Sequence, residues 1–101
     1  MQNVIGIRTL RRGVNGALLR VARGETILLV RHGHPVAVLR PLGEGEAHRR
    51  ISVTTFRRNM RRAVVVSRRR PLMLTWYGDV AAVLAPVPPD VALEYEEDLL
   101  L

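Results

Sequence analysis

The stretch RHGHPVAVLRPL, residues 31–42, runs from a tight-turn signal through a short apolar segment to a closing proline. WYGDVAAVLAPV, residues 76–87, repeats that layout with Gly, Ala-Val-Leu and Pro in register. Together with the preceding TILLV, the first stretch predicts two strands joined at His32-Gly33, because glycine supplies the positive φ that tight hairpin turns require. Pro35 lacks an amide hydrogen and so belongs at a strand start or an edge position. Its counterpart in the second stretch is Val80, which carries no such constraint.

The repetition extends outward from these hairpins. Sliding the sequence by 46 places Ile5 on Ile51, Thr9 on Thr55, Leu10 on Phe56, Arg11 on Arg57, Arg12 on Arg58 and Ala17 on Ala63. After a one-residue deletion near Arg68–Arg70, a shift of 45 places Leu29 on Leu74, Gly33 on Gly78, Leu39 on Leu84 and Pro41 on Pro86. The two halves read as diverged copies of one unit. IGIR and ISVT alternate like short half-buried strands and lead into Thr9 and Thr55, which are suited to cap a helix. Gly13 and Asn59 then fall where a short first helix would break, ahead of longer helical stretches, with Gly24 as the first copy's terminator. The expected order is strand, short helix, longer helix and hairpin.

A unit of this size buries too little surface to be stable alone, so the two copies are expected to pack together. The fold class that follows is α+β, with two tandem strand-helix-helix-hairpin units forming a pseudodimer around a shared antiparallel sheet, helices on one side. The units are residues 1–42 and 51–87, joined by a linker at 43–50 that spans at most about 26–29 Å, and followed by an acidic tail at 88–101. Pairing within one chain would give a monomer; exchange of halves between chains would give a homodimer.

Charge divides the chain unevenly. Residues 1–87 carry all 16 arginines against four acids, and residues 88–101 carry five acids and no base, so +12 is followed by −5. A basic body suits a polyanionic partner, since cations displace condensed counterions from nucleic acid. The chain has no cysteine, which removes disulfides, cysteine-ligated zinc and thiol nucleophiles. Arginines interrupt the N-terminus where a signal peptide needs an apolar core, and no window reaches a membrane span, so a cytoplasmic protein is expected.

At ISVTTFRRNMRRAVVV and RHGHPVAVLRPL the chain resembles the Phd/YefM family of antitoxins from bacterial toxin–antitoxin modules. The second half matches through Ile51, Thr54, Arg57 and Asn59; the first matches through Gly24, Glu25, Arg31, Gly33, Pro35, Ala37, Val38 and Leu39. The resemblance implies a dimer built on a shared sheet that binds operator DNA, with a C-terminal segment that folds on a toxin. It also implies DNA contacts from basic residues at the start of the first helix and on the hairpin, which fall on Arg11, Arg57 and Arg31. Arg12 and Arg58 are their neighbours. Only 14 residues follow the second copy, so DNA binding is the stronger of the two implied activities.

Arginine suits such contacts because its fork meets a phosphate or the edge of a guanine. Where Arg31 stands in the first copy, Trp76 stands in the second, so an asymmetric operator is expected. Trp76 and Tyr77 suit packing between the copies better than stacking on a base. Arg61, Arg62, Arg68, Arg69 and Arg70 read equally well as a solvated helix face and turn. His32, His34 and His48 lack an evident third well-placed ligand, so no metal or other cofactor is expected. Ser52 and Ser67 have no adjacent His/Asp arrangement and there is no glycine-rich phosphate loop, which argues against an enzyme. In the tail, Pro88-Pro89 ends the preceding strand and VALEYEEDLLL suits a short amphipathic helix, with Leu93, Tyr95, Glu96 and Glu97 as candidates for binding a toxin. Its acids are alternatively placed to fold back on the arginines. A protein-interaction module with little specific DNA binding is the competing reading.

Overall fold

The computed structural model describes residues 3–100; Met1 and Gln2 of the first expected unit and Leu101 of the tail lie outside them. The elements in chain order are β1 (Val4–Gly6), α1 (Ile7–Arg12), α2 (Val14–Ala22), β2 (Ile27–Arg31), β3 (His34–Arg40), β4 (Arg49–Ser52), α3 (Val53–Arg58), α4 (Met60–Ser67), β5 (Leu72–Trp76), β6 (Asp79–Ala85) and α5 (Pro89–Leu100). The six strands form one mixed sheet in the order β1-β2-β3-β6-β5-β4. Strands β1 and β4 at the two edges run parallel to their neighbours β2 and β5, and all other pairs are antiparallel.

The short helices begin earlier than the threonines suggest. Ile7 and Val53 are the first helical residues, so Thr9 and Thr55 lie inside α1 and α3 and cap neither. The reason is in the apolar spacing: Ile7, Leu10 and Val14, and likewise Val53, Phe56 and Met60, are all buried, and this i, i+3, i+7 pattern favours helix over strand from its first member. Ser52 caps α3, its Oγ accepting from the Thr55 backbone N–H at 3.0 Å, whereas Gly6 offers α1 no side-chain cap. The breaks fall at Gly13 (φ −142, ψ 44) and Asn59 (φ −126, ψ 37), nearly the same backbone conformation from two different residue types. Helix α2 ends in a Schellman arrangement, with the Glu25 N–H bonding the Arg20 carbonyl, the Gly24 N–H bonding the Val21 carbonyl, and Gly24 at φ 96.

Both hairpins turn through two residues of positive φ, His32-Gly33 and Tyr77-Gly78, as a type I′ turn demands. Each carries a register irregularity, between Leu29 and Val30 in one and between Leu74 and Thr75 in the other. Pro35 pairs with Val30 and lies outside the β3–β6 ladder, which spans Val38–Arg40, so its missing donor interrupts no central pairing. Strand β4 also takes up Arg49 and Arg50, the last two residues of the expected linker.

Alternation along the strands divides the core. Ile27, Leu29, Leu39, Leu74 and Leu84 face α1–α4, whose Leu10, Val21, Phe56 and Met60 complete the larger cluster. Helix α2 packs on β6 and α4 packs on β3 and β6, so each longer helix crosses towards strands of the other half. Leu28, Val38, Met73 and Val83 face the opposite side, where Val87, Val91 and Tyr95 cover them. Helices therefore lie on both faces, because the tail carries apolar residues that cover the second one. Within α5, Leu93, Leu99 and Leu100 are exposed, so only Val91 and Tyr95 of the expected apolar positions meet the sheet.

Candidate nucleic-acid interface

The expected contact arginines sit at the ends of the short helices, not at their starts. Arg11 and Arg12 occupy the last turn of α1, and Arg57 and Arg58 the last turn of α3. An attraction of phosphate to a helix N-terminus therefore does not apply to them. The helical break just beyond each pair turns the chain into α2 or α4, and Arg11 and Arg57 each meet the longer helix of the other half, Arg11 beside α4 and Arg57 at Asn15 of α2.

Arg11, Arg57 and Arg58 line a groove of about 580 Å³ with Arg61 and Arg62 of α4. Arg11 and Arg61 also line an adjoining cleft of about 40 Å³, together with Arg31 at the end of β2 and Arg68 just beyond α4. The structure thus brings together four of the five arginines expected from the sequence and adds Arg61, Arg62 and Arg68. Arg12 is exposed on α1 and lines neither recess. Helical spacing held the missing signal: Arg61 and Arg68 are seven residues apart and share one helical face.

No carboxylate lines the groove or the cleft. The ion pairs Arg20–Glu25, Arg40–Glu46 and His48–Glu46 include no arginine of this surface. Arg57 is held by a neutral partner, donating from Nη2 to Asn15 Oδ1 across the two halves at 2.7 Å, which orients it without cancelling its charge. The result is a continuous cationic surface over α1, α3 and α4, of the kind that gains free energy by displacing counterions from a polyanion.

The acidic groups lie elsewhere. Glu46 fixes the connection between the halves, accepting from Arg40, from His48 Nε2 at 2.6 Å and from the Gly43 backbone at 2.7 Å. The Arg40 bonds above all, then His48 and the Gly43 amide, hold the Glu46 carboxyl far below the usual carboxylate range. The tail does not fold back on the arginine groove: α5 covers the other sheet face, where Tyr95 donates its hydroxyl hydrogen to the Gly33 carbonyl at 3.1 Å. Leu93, Glu96 and Glu97 are exposed, while Tyr95 is committed to the hairpin.

Tyr77 does not fill the junction of the two halves, and Trp76 borders it only in part. Tyr77 is 94% exposed in its turn, and Trp76, at 38%, meets it edge-to-face with centroids 5.8 Å apart. Trp76 instead walls an apolar pocket of about 490 Å³ with Leu18 and Leu19 of α2 and Leu42 beyond β3. Among the described residues no three His, Cys, Asp or Glu side chains are grouped to hold a metal, and no helix is long and apolar enough to cross a membrane.

No family model and no solved structure matches the chain. Two curated proteins do over part of their length: the Antitoxin VapB46 sequences of Mycobacterium tuberculosis strains CDC 1551 / Oshkosh and ATCC 25618 / H37Rv are each 46% identical to it over 41 residues. The match covers 41% of this chain and 40% of each relative, so the chain is similar over about two fifths of its length to proteins described as antitoxins.

Proposed function

We propose that this chain is a cytoplasmic, non-enzymatic DNA-binding repressor of Phd/YefM antitoxin type, in which residues 1–42 and 51–87 are two units packed as a single-chain pseudodimer. The observation that carries DNA binding is the run of arginines around the α1–α3–α4 groove with no carboxylate in its lining. The partial likeness to antitoxins supports a toxin–antitoxin role. The sheet order, with β3 and β6 meeting at its centre, supports the pseudodimer. In this reading Arg11, Arg57 and Arg58 neutralise phosphates, Arg31 at the hairpin adds selectivity, and Arg12 contributes from the margin.

Fluorescence anisotropy on the duplex upstream of its own gene and on a scrambled duplex, each across a salt series, tests this. Preference for the upstream duplex is expected, with a steep salt slope that falls by about two in Arg11→Ala/Arg57→Ala, close to 0.9 per lost phosphate contact. Weak binding equal on both duplexes and unchanged by the substitutions would reject it.

A second reading, a toxin-binding or self-associating module, draws on the same partial likeness and on the exposed outer side of α5. Leu93, Glu96 and Glu97 would contact a basic toxin, with Tyr95 holding the helix in place. Loss of toxin capture in Leu93→Asp/Glu97→Arg, with DNA affinity retained, would favour it.

A further inference from the structure

The arginine cleft and the apolar pocket occupy corresponding places in the two halves. Under the shifts of 46 and 45, Val36, Val64 and Val65 around the arginine cleft correspond to Ala81, Leu18 and Leu19 around the apolar pocket. At the same time Arg31, Arg61 and Arg68 correspond to Trp76, Asn15 and Ala22, which also line that pocket. Each recess is assembled from both halves: the cleft from α1, β2 and β3 of the first with α4 of the second, the pocket from α2 of the first with β5 and β6 of the second. One recess thus carries three cations that the other lacks.

The neighbouring contacts differ in the same sense. Arg57 reaches Asn15 at 2.7 Å, whereas the positions corresponding to that pair are Arg11 and Arg61, two donors that cannot bond to each other. Arg11 and Arg61 line the cleft together and take part in no ion pair among the described residues. A shared acceptor between them relieves their repulsion and fills their donor capacity, and a phosphate oxygen is such an acceptor.

We infer that the helical layer grips duplex DNA unequally: Arg11, Arg61 and Arg68, beside the hairpin Arg31, form a phosphate clamp at one end, and the Trp76–Leu19 end, with only Arg57 beside it, does not. This deepens the DNA-binding reading and rests on it. Arg61 and Arg68 are then contact residues, supplied by the second half to a site whose other members come from the first. Duplex DNA presents phosphates along its whole length, so the end with three more cations dominates the counterion release. No cation lines the apolar end, so a phosphate entering it would give up water with no charged donor in the lining to replace it.

The test combines hydroxyl-radical footprinting on the upstream duplex with salt-dependent anisotropy on the full chain. The wild type is expected to protect one flank of its site more strongly than the other. Arg61→Ala/Arg68→Ala should erase that stronger flank and lower the salt slope by about two. Asn15→Arg/Ala22→Arg, at two exposed positions of α2 where arginine is a good helix former, should raise the slope by up to about two and extend protection to the weaker flank. Equal protection of both flanks, with neither double variant moving the slope, would overturn the clamp while leaving DNA binding intact. Absence of wild-type preference for the upstream duplex would overturn both.

Discussion

Residues 4–40 and 49–85 trace the same succession of strand, short helix, longer helix and hairpin, yet they differ in how each element is finished and in what it shows to solvent. In the interior the differences are conservative: Leu10 and Phe56 occupy corresponding places, each almost wholly buried, and Leu29 and Leu74 are identical. At the helix ends they are larger. Ser52 caps α3 where Gly6 leaves α1 uncapped, and Gly24 closes α2 where α4 ends on Arg68 in a helical conformation. On the surface they reverse the chemistry, setting arginines against an apolar wall. The fold constrains the two sets of positions differently: buried positions must fill a fixed volume, whereas exposed ones are free to diverge in charge.

The largest effect that would sharpen this comparison lies in the core. Phe56→Ala should destabilise the protein by about 3–5 kcal/mol, and Leu10→Ala by about 2–5 kcal/mol, in equilibrium denaturation. Since the larger cluster contains both residues, each variant should unfold in a single transition. Two resolved transitions would break the picture of one shared core.

Caps come next in size. Ser52→Ala removes the acceptor for the Thr55 amide and should cost about 1 kcal/mol. Thr9→Ala should be nearly neutral, because Thr9 is exposed within α1 and caps nothing. The reverse experiment is Gly6→Ser. Gly6 has an extended conformation (φ −70, ψ 148), and a side chain there would meet the Val30 carbonyl only at ordinary contact distance. A gain of roughly 0.5–1 kcal/mol is expected, from the new cap and the reduced freedom of the unfolded chain. No change in thermal midpoint would show that the two helix starts differ in more than the cap.

A pH-dependent effect concerns the join between the halves. Glu46 has a depressed carboxyl pKa in the folded protein, so its contribution to stability is fully present above about pH 4.3, its ordinary range, and is lost as the pH falls from there through the folded value. Glu46→Gln should therefore be less stable than wild type near neutrality, and the gap should narrow below pH 4. A gap that stays constant with pH would mean that Glu46 acts by packing and neutral hydrogen bonds instead of by charge.

Much of this fold was legible residue by residue. Gly33 and Gly78 mark the hairpin turns, Gly13 and Asn59 mark the helical breaks, and Gly24 marks a helix end, because each of these depends on local backbone geometry. Strand–helix junctions were less legible: Ile7 and Val53 satisfy both a period of two and a period of 3.6, and only their burial against the sheet decides between them. The tail was half legible, since its helix follows from composition but the face it covers does not.

The sequence by itself determined the local geometry, the apolar spacing and the separation of a basic body from an acidic tail, all of which are carried by residues near one another in the chain. Only the tertiary structure decided that Arg31 at a strand end and Arg61 and Arg68 along a distant helix surround one cleft, while Trp76, Leu19 and Leu42 surround another. The physical reason is the crossing of α2 and α4 towards strands of the other half. It builds both recesses from residues about 30 or more positions apart, a distance over which no local periodicity reports.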